Sequence, residues 1–293
     1  MTTPIVTVGQ GAFTYTVDKY WGRGPDGLPE FGMVSGVAGD SLDRVYLFIR
    51  TPVAEVLVFQ PDGTLLSRWG RGSFVEPHML FISPRDEVYA TDIAAHTVTR
   101  WTLDGNLLQT WGTPGTPGAP GMPFNSPTRA SLAADGEMYV SDGYGQFRVH
   151  RFGADGTLKQ SWGEQGSGPG QFALPHDVWV DPRGRVLVCD RENARVEIFT
   201  RDGTYSGEWP GLANPMQIFI RDDILYLAES NQRVSIMTLD GEVLARWGSK
   251  GEGQDQFTNA PHSIWADSRG DIYVSEVVQP NNIQKYTRRP QKA

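Results

Sequence analysis

Five times along this chain an Asp-Gly pair is followed, seven residues after the Asp, by a Trp. The copies run from Asp62-Gly63 to Trp69, Asp104-Gly105 to Trp111, Asp155-Gly156 to Trp162, Asp202-Gly203 to Trp209 and Asp240-Gly241 to Trp247. Asp-Gly favours the left-handed backbone angles of a tight hairpin turn, whose twist matches that of paired strands. Each copy therefore reads as the closing hairpin of a larger unit. Two more strand-like stretches lie upstream of each turn, for example Val178 to Val180 and Arg185 to Cys189, giving four strands per unit. Units 38 to 51 residues long, each with four strands, are the blades of a β-propeller, a ring that leaves only short, protected sheet edges. Composition agrees, since 34 Gly and 20 Pro in 293 residues suit a turn-rich all-β chain.

The complete units account for the chain up to Gly248, and a sixth, from Gly253 to Tyr286, ends at Arg288-Arg289-Pro290 without an Asp-Gly strand. The missing strand is found at the other end, where Thr14 to Gly22 reads like the Trp-terminated outer strands. The expectation is thus one all-β domain over residues 1–293, a six-bladed β-propeller with blades near 28–70, 72–112, 118–163, 168–209, 211–248 and 251–288. Residues 12–22 supply the strand that completes the last blade and closes the ring. The repeated Trp residues read as packing between blades. Gly22-Arg23-Gly24-Pro25-Asp26-Gly27 matches a dinucleotide pattern, but no helix-forming run follows it, so it reads as a loop, as does Gly166 to Gly170.

Several partners are excluded by charge and hydropathy patterning. A formal charge of −8 with no Lys/Arg block opposes binding to a phosphate backbone. No apolar run is long enough to span a bilayer. The start, Met1 to Val6, lacks the basic and apolar regions of a secretory signal, and the single cysteine, Cys189, suits a reducing compartment. A cytoplasmic protein without nucleic-acid or membrane partners is expected, with Cys189 a small buried apolar residue.

Aligning the blades by their turns exposes one position near the start of each innermost strand. Its occupants are Ser35, His78, Thr128, His176, Met216 and His262. Histidine stands in blades two, four and six, so three imidazoles converge on the ring axis. Three nitrogen ligands suit a zinc ion that keeps a fourth position for water or substrate, although Cu, Ni, Fe and Co also accept imidazole. His96 and His150 fall elsewhere in their repeats and read as structural. A second register, fourteen residues on in most blades, holds Asp92, Asp142, Asp190, Glu229 and Glu276, with Arg50 near the matching place in blade one. The acids read as structural partners of Arg148, Arg195 and Arg233. Arg50, Tyr144 and Arg191 differ from their counterparts in the other blades. A phenol and two guanidiniums near a metal form an acid/base and anion-binding group.

At Ser141-Asp142-Gly143-Tyr144, Trp162-Gly163-Glu164, Pro169-Gly170-Gln171-Phe172, Pro175-His176 and Asp190-Arg191-Glu192-Asn193 the sequence resembles the NHL-repeat propellers. Among these it resembles peptidyl-α-hydroxyglycine α-amidating lyase, from about Val34 to Tyr286. The resemblance implies zinc on His78, His176 and His262, Tyr144 as the base, and Arg191 and Arg50 as the active-site arginines. It also brings in a structural calcium ion, for which the donor set here departs from the pattern. Ser263 stands where that family has a carboxylate, Asp177 follows His176 instead, and the carbonyls of Val37 and Leu80 remain as donors. Ala260 replaces a methionine near the substrate, and the disulfides of secreted members have no counterpart.

The implied reaction breaks the C–N bond of an N-(α-hydroxyalkyl) amide to give an amide and an aldehyde such as glyoxylate. The substrate would be a small molecule or short peptide-like compound carrying a carboxylate. Two alternatives stand beside it: another zinc-dependent hydrolase or hydratase on the same scaffold, and a non-catalytic NHL interaction module.

Overall fold

The computed structural model describes residues 6–22, 31–277 and 282–290. It is a six-bladed β-propeller of antiparallel sheets. The innermost strands are Met33–Gly39, Pro77–Ile82, Arg129–Leu132, Pro175–Val180, Pro215–Arg221 and Pro261–Ala266. Each contacts the innermost strand of the next blade, and the sixth contacts the first, so the ring closes around an axial channel. Clusters of buried apolar side chains lie between successive blades. Leu80, Val88 and Ala90, for instance, pack on Tyr46, Phe48 and Val58 of the blade before.

The Asp-Gly-to-Trp repeat has a direct structural cause. The glycine of each turn lies under the Trp of the preceding blade. At Gly203 (φ +76°) an added Cβ would sit 2.8 Å from the Trp162 ring, and at Gly241 (φ +88°) 2.6 Å from the Trp209 ring. Left-handed backbone angles and lack of space both demand glycine there. Trp111 adds a hydrogen bond from Nε1 to the Gly156 carbonyl, 3.1 Å.

Closure follows the expected route with two refinements. Phe13–Asp18 pairs with Asn282–Arg288, with Tyr15 opposite Arg288 and Val17 opposite Tyr286. The strand is shorter than the anticipated 12–22, because a turn follows Asp18. Trp21 nevertheless takes the place of the sixth outer Trp, donating from Nε1 to Pro61 O at 3.0 Å and packing on Phe59 and Tyr273. An unanticipated strand, Thr7–Gln10, extends this sheet to five. The loop expected from Gly22 to Gly27, past Gly22 itself, and the start of blade one at 28 fall within 23–30, outside the described residues. No helix among the described residues is long and apolar enough to cross a membrane.

One local device aims side chains at the channel. The pairing register shifts at His78, His176 and His262, between Pro77 and Leu80, Pro175 and Asp177, and Pro261 and Ser263. Such bulges turn a side chain out of the sheet's regular alternation, here toward the axis.

Candidate metal centre and catalytic site

His78, His176 and His262 meet on the axis as the alternation predicts. Their ring centroids are 4.9, 4.9 and 5.0 Å apart, and one nitrogen from each lies within 4.8 Å of the others. All three are buried. Each Nδ1 lies against a backbone carbonyl of the next blade: His78 to Thr128 O at 2.6 Å, His176 to Met216 O at 2.7 Å and His262 to Ser35 O at 2.6 Å. A carbonyl can only accept, so Nδ1 carries the proton and Nε2 keeps its lone pair. This is the outer hydrogen bond expected of metal-ligating histidines.

The three acceptors belong to the other three members of the register. Ser35, Thr128 and Met216 were recognised from sequence as its occupants, but their role was not, because a backbone carbonyl leaves no mark on residue type. Burial keeps the imidazoles neutral. It pushes His262 down to about 3, with the Arg50 charge adding to the effect. His78 and His176 are held well below the ordinary 6.5 by burial, then by His262 and, respectively, by His176 and Arg191. Three convergent, neutral, pre-oriented Nε2 donors fit a zinc-like ion.

Tyr144 and Arg191 stand over this triad. The Tyr144 hydroxyl lies 3.2 Å from His78 Nε2 and 3.1 Å from His176 Nε2. Arg191 Nη1 donates to the same oxygen at 3.4 Å, and its Nε donates to Glu192 at 2.7 Å. Tyr144 keeps 42% of its surface exposed, which opens this end of the channel to solvent. Arg50 is nearby but differently engaged, donating from Nε to the Pro77 carbonyl, next to His78, at 2.8 Å. Its buried Nη2 has no hydrogen-bond partner among the described residues. The structure thus brings all six expected site residues to one end of the channel.

The acid register is structural, as read, with one change of partner. Asp190 pairs with Arg195 at 3.1 Å and Glu229 with Arg233. Asp142, by contrast, accepts from Gln146 Nε2 at 2.7 Å and faces His150 Nε2 at 3.2 Å. Arg148 is not its side-chain partner, because Gln146 and His150 fill the space beside the carboxylate. These acids also accept from backbone N–H groups two or three residues before the channel position. Asp92 takes Val75 and Glu76, Asp190 takes Ala173 and Leu174, and Glu276 takes Asn259. They fix the loops that deliver the histidines. His96 accepts from Ser126 N–H, Cys189 is a buried free thiol, and the Gly166–Gly170 loop is held by Arg195 through the carbonyls of Ser167 and Gly168.

The residues do not fit calcium. One layer further into the channel, Asp177 Oδ2 accepts from Ile218 N–H at 2.6 Å, and Oδ1 faces the Arg129 guanidinium at 3.7 Å. The Val37 carbonyl accepts from Ser263 Oγ at 3.2 Å. A buried guanidinium beside the carboxylate opposes a second cation there.

Comparisons with known proteins agree with the propeller fold. The NHL repeat model matches residues 172–199. NHL repeat-containing protein 3 of Homo sapiens is 31% identical, over 93% of this chain and 84% of that protein. Peptidyl-alpha-hydroxyglycine alpha-amidating lyase 1 of Drosophila melanogaster is 28% identical, over 67% of this chain and 42% of that protein. A gluconolactonase from Xanthomonas campestris has the same fold, with TM-score 0.69, 13% identity and 97% of both chains covered.

Proposed function

We propose that this chain, which belongs to the NHL-repeat family, is a zinc-dependent lyase of the amidoglycolate kind that splits an N-(α-hydroxyalkyl) amide into an amide and an aldehyde such as glyoxylate. The reading rests on one observation above others: the Tyr144 hydroxyl stands within hydrogen-bond reach of two triad Nε2 atoms and of Arg191. The likeness to the fly lyase supports it.

An ion held by His78, His176 and His262 supplies Lewis acidity that lowers the pKa of a hydroxyl brought to it. Tyr144 borders that position and, in its phenolate form, accepts the hydroxyl proton to become the phenol. The electron pair left on oxygen becomes the aldehyde C=O as the C–N bond breaks, and the departing amide nitrogen takes the proton back from Tyr144. Arg191 and Arg50 grip the substrate carboxylate, for which the unpartnered Arg50 Nη2 is a ready donor. The substrate in this proposal is a small or short peptide-like carboxylate met in the cytoplasm, where Cys189 stays reduced.

Elemental analysis of wild type and His176→Ala, with glyoxylate release from an α-hydroxyglycine amide followed on the same samples, tests the reading. About one zinc ion per chain, lost together with glyoxylate release in the variant, is the expected result. Zinc without glyoxylate refutes the lyase reaction, and no bound metal refutes the enzyme.

A further inference from the structure

The channel has a second end. The triad lies at the start of the innermost strands, whereas their far ends open into a cavity of about 640 Å³ that contains none of the catalytic residues. That volume lies within the range of small-molecule sites. Its walls include five aromatic side chains, Tyr89 and a row of Phe81, Trp179, Phe219 and Trp265, the last four in successive edge-on contact at centroid distances of 5.8, 5.6 and 6.4 Å. Sequence spacing places all four three residues after the channel position of their blades.

An aromatic cup by itself suits a cation, but here the rings already serve guanidiniums. Arg129 Cζ lies 5.7 Å from the Phe81 centroid and 5.9 Å from that of Trp179. Arg221 Cζ lies 5.7 and 5.9 Å from those of Phe219 and Trp265. Arg129 is only 2% exposed, and its Nε has no hydrogen-bond partner among the described residues. The nearest carboxylate oxygen, Asp177 Oδ1, forms an ion pair with it at 3.7 Å, too long for a hydrogen bond, and among the described residues accepts none. Among the described residues Arg221 has one ion contact, a long one of 3.9 Å to Asp43, whose carboxylate already accepts from Ser268. A buried, unsatisfied guanidinium nitrogen costs free energy that an acceptor recovers.

We propose that this far chamber is a binding site for an aryl carboxylate, with the ring held among Phe81, Trp179, Phe219 and Trp265 and the carboxylate taken by Arg129 and Arg221. The site stands apart from the metal centre and does not depend on the lyase reading.

Trp179 and Trp265 report on the chamber, so tryptophan fluorescence and calorimetry with phenylacetate, phenylacetamide and benzylamine test it on the intact protein. Phenylacetate should bind and quench, with the neutral amide and the amine at least about ten-fold weaker, the cost of one charge-assisted hydrogen bond. Arg221→Gln, at a half-buried rim position, should fold normally and weaken phenylacetate about ten-fold or more. Arg129→Met provides a second variant, and Arg191→Gln at the opposite end should leave the affinity unchanged. Absence of phenylacetate binding at about 10 mM, a concentration that detects even affinities of a few kcal/mol, overturns the proposal. So does equal affinity for the amide, or a loss that follows Arg191 rather than Arg221.

Discussion

Holding three neutral imidazoles in a buried channel has a cost that appears as the pH falls, and His262 allows it to be measured. Its folded value is about 3 against an ordinary 6.5. Between those limits the unfolded chain takes up a proton that the folded chain refuses, so stability falls as the pH drops through 6.5. At about 1.4 kcal/mol per unit, going from neutral pH to pH 5 removes roughly 2 kcal/mol on account of this one ring. Two buried carboxyls work the other way. Burial pushes Asp177 up to about 6 and Glu197 up to about 7, so each favours the folded state more as the pH falls below those values. Their contributions cancel when wild type is compared with His262→Asn. Urea unfolding of both proteins in chelator, at pH 7 and pH 5, should show wild type losing about 2 kcal/mol more than the variant. Superimposable pH profiles would refute the claim that this imidazole is kept neutral by its surroundings.

Tyr144→Phe should keep its zinc, measured by elemental analysis, and lose turnover by about 100-fold or more, the scale of proton-transfer catalysis; unchanged turnover removes Tyr144 from the chemistry. Arg50→Gln should raise KM for a carboxylate substrate more than for its amide, seen in steady-state kinetics on the pair, and equal effects would deny the anion-binding role. Gly184→Ala, where φ is +78° and no atom lies within 4 Å of the new Cβ, should cost about 1 kcal/mol in urea unfolding. Gly203→Ala meets the Trp162 ring as well and should cost about 1–3 kcal/mol more. Equal losses would show that the Trp does not rest on the glycine.

The blade count and the axial register were legible because the Asp-Gly turn and its Trp satisfy one physical demand, a left-handed glycine beneath a neighbouring ring, in blade after blade. The N-terminal closure was legible for the same reason, through Trp21. What escaped lacks such a signature. The strand Thr7–Gln10 is short, carries a glycine and shows no apolar alternation. Partner choice at Asp142 turned on Gln146 and His150, whereas spacing alone favoured an arginine. Spacing singled out Tyr144 and Arg191 as departures from the repeat, but only three-dimensional placement shows that they meet over His78 and His176. The resident guanidinium of Arg129, one position past Thr128, gave no hint in sequence that it would face Asp177 across the channel.

The hydrogen bonds from the imidazoles to carbonyls of the following blades have a further implication for divergence. Every residue type carries a carbonyl, so the side chains at 35, 128 and 216 can change without removing the acceptors that orient the triad. For the proposed centre the even blades must supply histidine, while the odd blades contribute the carbonyl acceptors through where their backbone runs. A relative could keep this centre intact with three quite different residues at those places, and a search for matching side chains would see half a site where the folded ring holds a whole one.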